Sequence, residues 1–245
     1  MRIPRIFSTR RLKTGGEVLL DEQARRHLLK ALRLKKGAPV VLFDGSGCDF
    51  DARLTRLDKD TCAAATREII HREEPPQLKI HLAIGISRGE RMDYAIQKAV
   101  ELGAWSIQPL FTERTVVRLA GERLASRQSH WDGVVRHACE QSGRSLLPAV
   151  EHATPLAAWL AAFQGEGILL DHRTNSGLSD LPGPGSDISL LVGPEGGLTA
   201  AERNASLKQG FRAVRLGPRV LRTETAPLAA ISALQTIWGD FDVRA

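Results

Sequence analysis

A chain of 245 residues with 42% hydrophobic content can bury one large core or two smaller ones, and nothing in its composition resembles a disordered protein. Its net charge of +6 is uneven: residues 1 to 36 carry 11 Lys/Arg against 3 acids, a local +8, which leaves the remainder at −2. That asymmetry favours an anionic partner, nucleic acid above all, over a uniformly solvated basic face.

In chain order, a helix is predicted over Asp21 to Leu32, followed by strands at Pro39 to Phe43, Phe50 to Leu57 and Thr61 to Ile70. The turns DGSG (Asp44 to Gly47) and LDKD (Leu57 to Asp60) separate them, as in a small antiparallel barrel or sheet. HREEPPQ, residues 71 to 77, is a charged, proline-containing break and the best domain boundary, giving domains 1–72 and 73–245. Beyond it strands and helices alternate. Strands are predicted at Leu78 to Ile86, Trp105 to Pro109, Gly167 to Leu170, Ile188 to Val192 and Ala213 to Leu216. Helices are predicted over Arg91 to Leu102, Arg123 to Ser142, from Thr199, and over Thr223 to Trp238. Such alternation implies an α/β fold with a mostly parallel sheet. Met92, Ala95, Ile96, Ala99 and Leu102 recur at helical spacing and form a core stripe.

Cys48, Cys62 and Cys139 are too scattered for a disulfide framework or a zinc site, and the seven histidines lack paired spacing, so no metal is expected. No apolar run approaches the roughly 20 residues needed to span a bilayer, and the basic N-terminus has no signal-peptide character; a cytoplasmic protein is expected.

Two segments carry the chemistry: LLVGPEGGL (Leu190 to Leu198) and LGPRVLRTETAPLAA (Leu216 to Ala230). Each is an apolar run that stops at Gly-Pro and passes into a helix-compatible stretch, the pattern of a ligand-facing turn at the carboxyl end of a strand. Gly193, Gly196, Gly197 and Gly217 would let main chain lie against a flat ligand and adopt positive φ. The polar residues between them are Glu195, Arg219, Arg222, Thr223, Glu224 and Thr225.

GPEGGLTAAE (Gly193 to Glu202) and LGPRVLRTETA (Leu216 to Ala226) resemble the signature of the ribosomal RNA small subunit methyltransferase E family, SPOUT enzymes that methylate uracil N3 in 16S rRNA. Upstream matches are SRGERMDYAIQKAVELG (Ser87 to Gly103), PLFTER (Pro109 to Arg114) and ACEQSGRSLLP (Ala138 to Pro148), while MRIPRIF and HLLKALRLKKG (His27 to Gly37) fit the family's RNA-binding domain. The resemblance implies a PUA-like β-barrel domain before a SPOUT domain with a deep trefoil knot. In that domain the two Gly-Pro turns are the knot loops that hold S-adenosylmethionine. It also implies a homodimer acting on a decoding-site uridine of the small ribosomal subunit. The apolar helix from Ala226 to Trp238 either contributes to the dimer interface or packs on its own sheet.

Carried onto this sequence, the resemblance assigns the cofactor to Leu170, Leu191, Val192, Gly193, Pro194, Gly196, Gly197, Leu216, Gly217, Arg219, Val220, Leu221, Thr223 and Thr225. Asp171 and His172 fall in a loosely matched strand-end segment that lines the cofactor in the family. Methyl transfer needs an aligned nucleophile more than covalent help, and uracil N3 must lose its proton or be stabilised as an anion. Arg222 is the candidate anion stabiliser, aided by a helix N-terminus at Thr223. Glu195 and Glu224 are candidate bases; Glu195 is preferred because desolvation in a glycine-flanked loop would raise its pKa. Their alternatives are a capping acid before Leu198 and an ordinary first-turn acid, and Thr223 and Thr225 are either ligand contacts or N-caps. Arg5, Arg10, His27, Arg33, Arg88, Arg91, Arg114, Gln141 and Arg144 are candidate RNA contacts, with Glu140 in the same polar cluster; His27 has a structural role as its alternative.

Three rival functions fit the residues less well. A SPOUT ribose 2′-O-methyltransferase would carry an Asn/Arg motif where this chain has GISRGERMDY, and a Rossmann-type methyltransferase would need GxGxxG spacing that GISRG lacks. A non-catalytic ribosome-assembly factor would not need the polar residues present in both C-terminal loops.

Overall fold

The computed structural model describes residues 3–241, so Arg2, one of the eleven N-terminal cations, lies outside the described residues. The chain divides into two compact units. One comprises residues up to Pro75 together with Arg136–Leu147, and the other comprises Pro76–Val135 with the chain from Pro148 onward.

The first unit is built on a five-stranded sheet, in spatial order β1 (Arg5–Phe7), β3 (Pro39–Phe43), β4 (Cys48–Leu57), β5 (Cys62–Arg72) and β2 (Glu17–Leu19). All neighbours are antiparallel except β1 and β3. Alternation in β3 sends Val40 and Leu42 into a core shared with Ile6, Leu28, Phe50 and Leu54. The predicted helix from Asp21 to Leu32 is two pieces. Asp21 accepts from the Ala24 N–H at 2.8 Å and caps α1 (Glu22–Arg26), which widens into a π-turn over His27–Ala31. The helix ends at Arg33, whose φ of 52° breaks the right-handed path.

The second unit holds a wholly parallel sheet. Its order is β12 (Phe211–Val214), β10 (Gly167–Leu170), β11 (Asp187–Val192), β6 (Lys79–Gly85), β7 (Ala104–Phe111) and β8 (Ala149–Val150), with β9 (Thr154–Pro155) also on β7. Helix α2 (Glu90–Glu101) buries the expected stripe of Met92, Ala95, Ile96 and Ala99, and adds Val100. Leu102 lies just past its end. Helix α3 (Gly121–Ser142) begins in this unit, and its residues from Arg136 belong to the first. Helices α4 (Leu156–Ala162) and α5 (Ala200–Lys208) cover a core of Leu156, Leu160, Leu169, Leu191, Leu198 and Phe211. Thr199 and Glu202 start α5 with a reciprocal capping box: the Glu202 N–H donates to Thr199 Oγ1 and the Thr199 N–H to Glu202 Oε2. Helix α6 is Thr225–Trp238.

Strand β12 lies two residues earlier than the predicted Ala213 to Leu216. Phe211 is drawn inward, its ring lying against Phe163 at 4.5 Å and filling the space that the missing side chain of Gly167 leaves. Arg215 and Leu216 are thereby released into the following loop.

Candidate active site

Strands β10, β11 and β12 are neighbours and run parallel, so their carboxyl ends open at one edge. The three loops that leave them enclose a cleft of about 370 Å³, formed wholly within the second unit by Leu169–Arg173, Val192–Leu198, Arg203, Val214–Leu216, Arg219–Glu224 and Ala226, with Arg91 at the rim. Ligands in α/β sheets bind at such strand ends.

The Gly193–Leu198 loop is fixed by close approach. A Cβ on Gly85, the last residue of β6, would lie 2.5 Å from both Cδ and N of Pro194, so only glycine lets the loop cross there. Gly197 turns the chain at φ 66°, and the side where its Cβ would stand is open space. Of the four glycines expected at positive φ, Gly197 and Gly217 adopt it; Gly193 instead serves close packing, since a Cβ there would lie 3.0 Å from Gly197 C and Leu198 N. Arg114 donates from Nη1 to the Gly196 carbonyl at 2.8 Å, and Thr223 Oγ1 donates to the Gly193 carbonyl at 2.8 Å. Thr223 is therefore a tie between the two Gly-Pro loops rather than a helix cap. Glu224 occupies the N-cap of α6 without a side-chain capping bond, and the helix begins at Thr225, two residues later than expected.

Glu195 accepts from the Arg88 N–H at 3.0 Å and from Arg91 Nη1 at 3.3 Å. Its carboxylate thus sits before the first turn of α2, not at the start of α5. The expected upward pKa shift is reversed. Burial does push the carboxyl up, but the N–H groups of Arg88 and Glu195 itself and the Arg91 guanidinium outweigh it and hold the group below its ordinary value.

The opposite wall carries Asp171, buried at the end of β10. Arg203 Nε lies 2.5 Å from its Oδ2 and Arg173 Nε 3.8 Å from its Oδ1. The closer pair is an ion pair without hydrogen-bond alignment, and Asp171 Oδ2 is a buried acceptor with no hydrogen-bond donor. On the third loop, Arg219 and Arg222 are exposed and line the cleft, while Val220 is 73% exposed.

The structure brings Leu170, Val192, Gly193, Pro194, Gly196, Gly197, Leu216, Arg219, Val220, Leu221 and Thr223 into the cleft wall together with Glu195, Arg222 and Glu224. Three expected cofactor residues lie elsewhere. Leu191 points to the opposite side of β11 from Val192 and is fully buried in the core, and Gly217 and Thr225 stand outside the lining. Arg173, Arg203 and Arg215 were not expected. Arg203 had a readable signal: a cation near the positive end of a helix is unfavourable unless an anion faces it.

Among the expected RNA contacts, Arg5 and Arg144 are corrected by their surroundings. Arg5 is ion-paired with Asp49, donates to the Arg144 carbonyl and Ser145 Oγ, and lies over the Phe43 ring; its side chain is only 10% exposed. Arg144 pairs with Glu73 at 3.6 Å and is 12% exposed. A largely buried guanidinium already paired with a carboxylate is not available to phosphate. Glu140 accepts from the Phe7 N–H and from His137, whose pKa that carboxylate raises despite burial. His27 lines a small hollow with Phe7, Arg136 and Glu140. Arg10, Arg33, Arg88, Arg91, Arg114 and Gln141 are exposed. Among the described residues, no group of three or more His, Cys, Asp or Glu is arranged to hold a metal ion.

With the geometry in view, comparison with known proteins is specific. Residues 73–235 match the family model described as an RNA methyltransferase domain, and residues 20–65 match an RNA methyltransferase PUA domain. The chain is 40% identical to a ribosomal RNA small subunit methyltransferase E from Neisseria gonorrhoeae solved with S-adenosylmethionine, with TM-score 0.88 over 98% of this chain and 100% of that one. A Legionella pneumophila protein solved with the same bound cofactor is 34% identical, with TM-score 0.95 over 98% and 100%. The ribosomal RNA small subunit methyltransferase E of Buchnera aphidicola is 32% identical over 98% of both chains. These matches run from the N-terminal sheet through both Gly-Pro loops, and the chain belongs to the ribosomal RNA small subunit methyltransferase E family.

Proposed function

We propose that this protein is an S-adenosylmethionine-dependent methyltransferase that modifies N3 of a decoding-site uridine in the rRNA of the small ribosomal subunit. The observation that carries the reading is Arg222: a guanidinium with no ion pair or hydrogen bond among the described residues, exposed on the lip of a glycine-walled cleft. An unpaired cation at that place is available to an anion that forms during reaction.

The cleft suits the cofactor. Apolar Val192, Leu198, Val214 and Leu216 line it, the open side of Gly197 admits a flat group, and the Asp171 carboxylate stands in the opposite wall. When bound, the cofactor supplies an electrophilic methyl group on sulfur. The chain's own residues do the rest. Thr223 holds the two Gly-Pro loops at one separation, and Arg203 holds Asp171. Arg222 hydrogen-bonds the uracil oxygen on which charge gathers as N3 loses its proton. Glu195, kept ionised by Arg88 and Arg91, positions its loop; Glu224, half-buried at the head of α6, is the carboxylate left to accept the proton.

We further propose that residues 1–72 grip RNA through Arg10, Arg33 and their exposed neighbours while residues 73–245 carry catalysis, and that the two Gly-Pro loops belong to a trefoil knot. The protein works in the cytoplasm as a homodimer, for which Tyr94 of α2 and Ile237 of α6, 48% and 50% exposed, are apolar surface on adjoining helices. Mass spectrometry of rRNA from a deletion strain, read nucleotide by nucleotide, tests the chemistry. The expected result is loss of one N3-methyluridine that returns on complementation; a lost ribose methyl group instead would reject the base assignment.

A further inference from the structure

The second unit has another opening beside the catalytic cleft. Strand β7 ends at Phe111, and the chain runs to Ala120 without regular structure before α3 begins. Phe111, Val117, Arg118, Leu119, Ala120 and Arg123 line a groove of about 560 Å³, and neighbouring Val116 is 53% exposed.

The start of this segment is tied to the active site. The Glu113 N–H donates to Glu202 Oε1 at 2.8 Å, while Glu202 Oε2 accepts from Thr199 at the start of α5. Arg114 holds the Gly196 carbonyl. The segment that forms the groove is therefore anchored, a few residues before Val117, to the loop that forms the cleft rim.

Charge decides its occupant. Around the cleft most arginines are committed: Arg91 to Glu195, Arg114 to Gly196, Arg173 and Arg203 to Asp171, and Arg215 to the Gly217 carbonyl, as is Arg127, one turn after Arg123, to Asp93. Arg118 and Arg123 have no ion pair or hydrogen bond among the described residues, and no acid lines their groove. A half-buried phenyl ring and aliphatic walls together with two uncommitted guanidiniums match a nucleotide of single-stranded RNA, with the base on the apolar wall and phosphates on the arginines. No amide or carboxylate lines the wall to read base edges, so the fit is sequence-tolerant.

We propose that this groove seats a nucleotide flanking the target, so that the substrate strand is held at a second point outside the cleft. The assignment rests on the rRNA methyltransferase reading above. It is tested with full-length Arg118→Gln/Arg123→Gln, assayed on small ribosomal subunits that lack the modification and on a fluorescent single-stranded oligouridylate. The double variant should raise KM for subunits and weaken oligonucleotide binding about tenfold. Its log-affinity against log-salt slope should be shallower by about 1.4, since each single-strand phosphate that is no longer neutralised removes about 0.7. kcat and S-adenosylmethionine affinity should match wild type, and Arg118→Lys/Arg123→Lys should retain most of the salt slope. Unchanged KM, affinity and slope in an otherwise active enzyme would overturn the groove assignment alone. A raised KM with unchanged oligonucleotide binding would give the groove to a ribosomal protein, and a parallel loss of cofactor affinity would make the arginines supports of the cleft; either overturns it. Failure of the wild-type enzyme to methylate subunits would instead remove the underlying reading.

Discussion

Glu195 shows how a single neighbour reverses an inference drawn from sequence. A carboxylate between glycines invites the idea of a desolvated base, yet the backbone N–H of Arg88 and the Arg91 guanidinium, both more than 100 positions away, hold it ionised. With its folded-state pKa depressed, Glu195 contributes stability that is complete above the ordinary carboxylate value and lost as pH falls through the lower one. Wild-type melting temperature should therefore drop on acidification more steeply than that of Glu195→Gln, and the two should run parallel from pH 6 upward. Parallel curves throughout would show that the carboxylate does not anchor the loop. Arg5 and Arg144 teach the same lesson for cations. Charge counts place them among RNA contacts, but which cations are spent internally depends on Asp49 and Glu73, which only the fold brings near.

At the scale of elements, legibility followed sequence distance. The strands Pro39–Phe43 and Gly167–Leu170 and the stripe of α2 were readable because period and turn chemistry are local. The two-residue displacement of β12 was not, since it depends on Phe211 meeting Gly167 and Phe163 from other elements. The Gly-Pro loops were visible as turns, whereas the Asp171 wall needed its partner Arg203, 32 positions on. The Gly85–Pro194 crossing gives an element-scale test. Gly85→Ala forces a methyl group against proline and backbone at 2.5 Å, so it should cost about 1–3 kcal/mol of stability and displace the cleft loop. Thermal unfolding and calorimetric titration with S-adenosylmethionine check this; a variant of wild-type stability and cofactor affinity would mean the crossing is looser than described.

For the whole molecule, the first unit includes Arg136–Leu147, so cutting the chain after Pro75 would strip that segment of Arg5, Asp49 and Glu73. Substitution in the full-length chain is consequently the sound way to separate RNA grip from chemistry. Catalysis makes one demand above others: that the cleft present Arg222 to a uracil anion. Single-turnover methyl transfer to small ribosomal subunits at saturating cofactor, compared for wild type, Arg222→Ala and Arg222→Lys across pH 6 to 10, tests it most directly. Arg222→Ala should lose about 2.7–4 kcal/mol of transition-state stabilisation while largely keeping its cofactor affinity, and Arg222→Lys should recover little of the rate. A wild-type rate in Arg222→Ala would contradict the role given to this arginine.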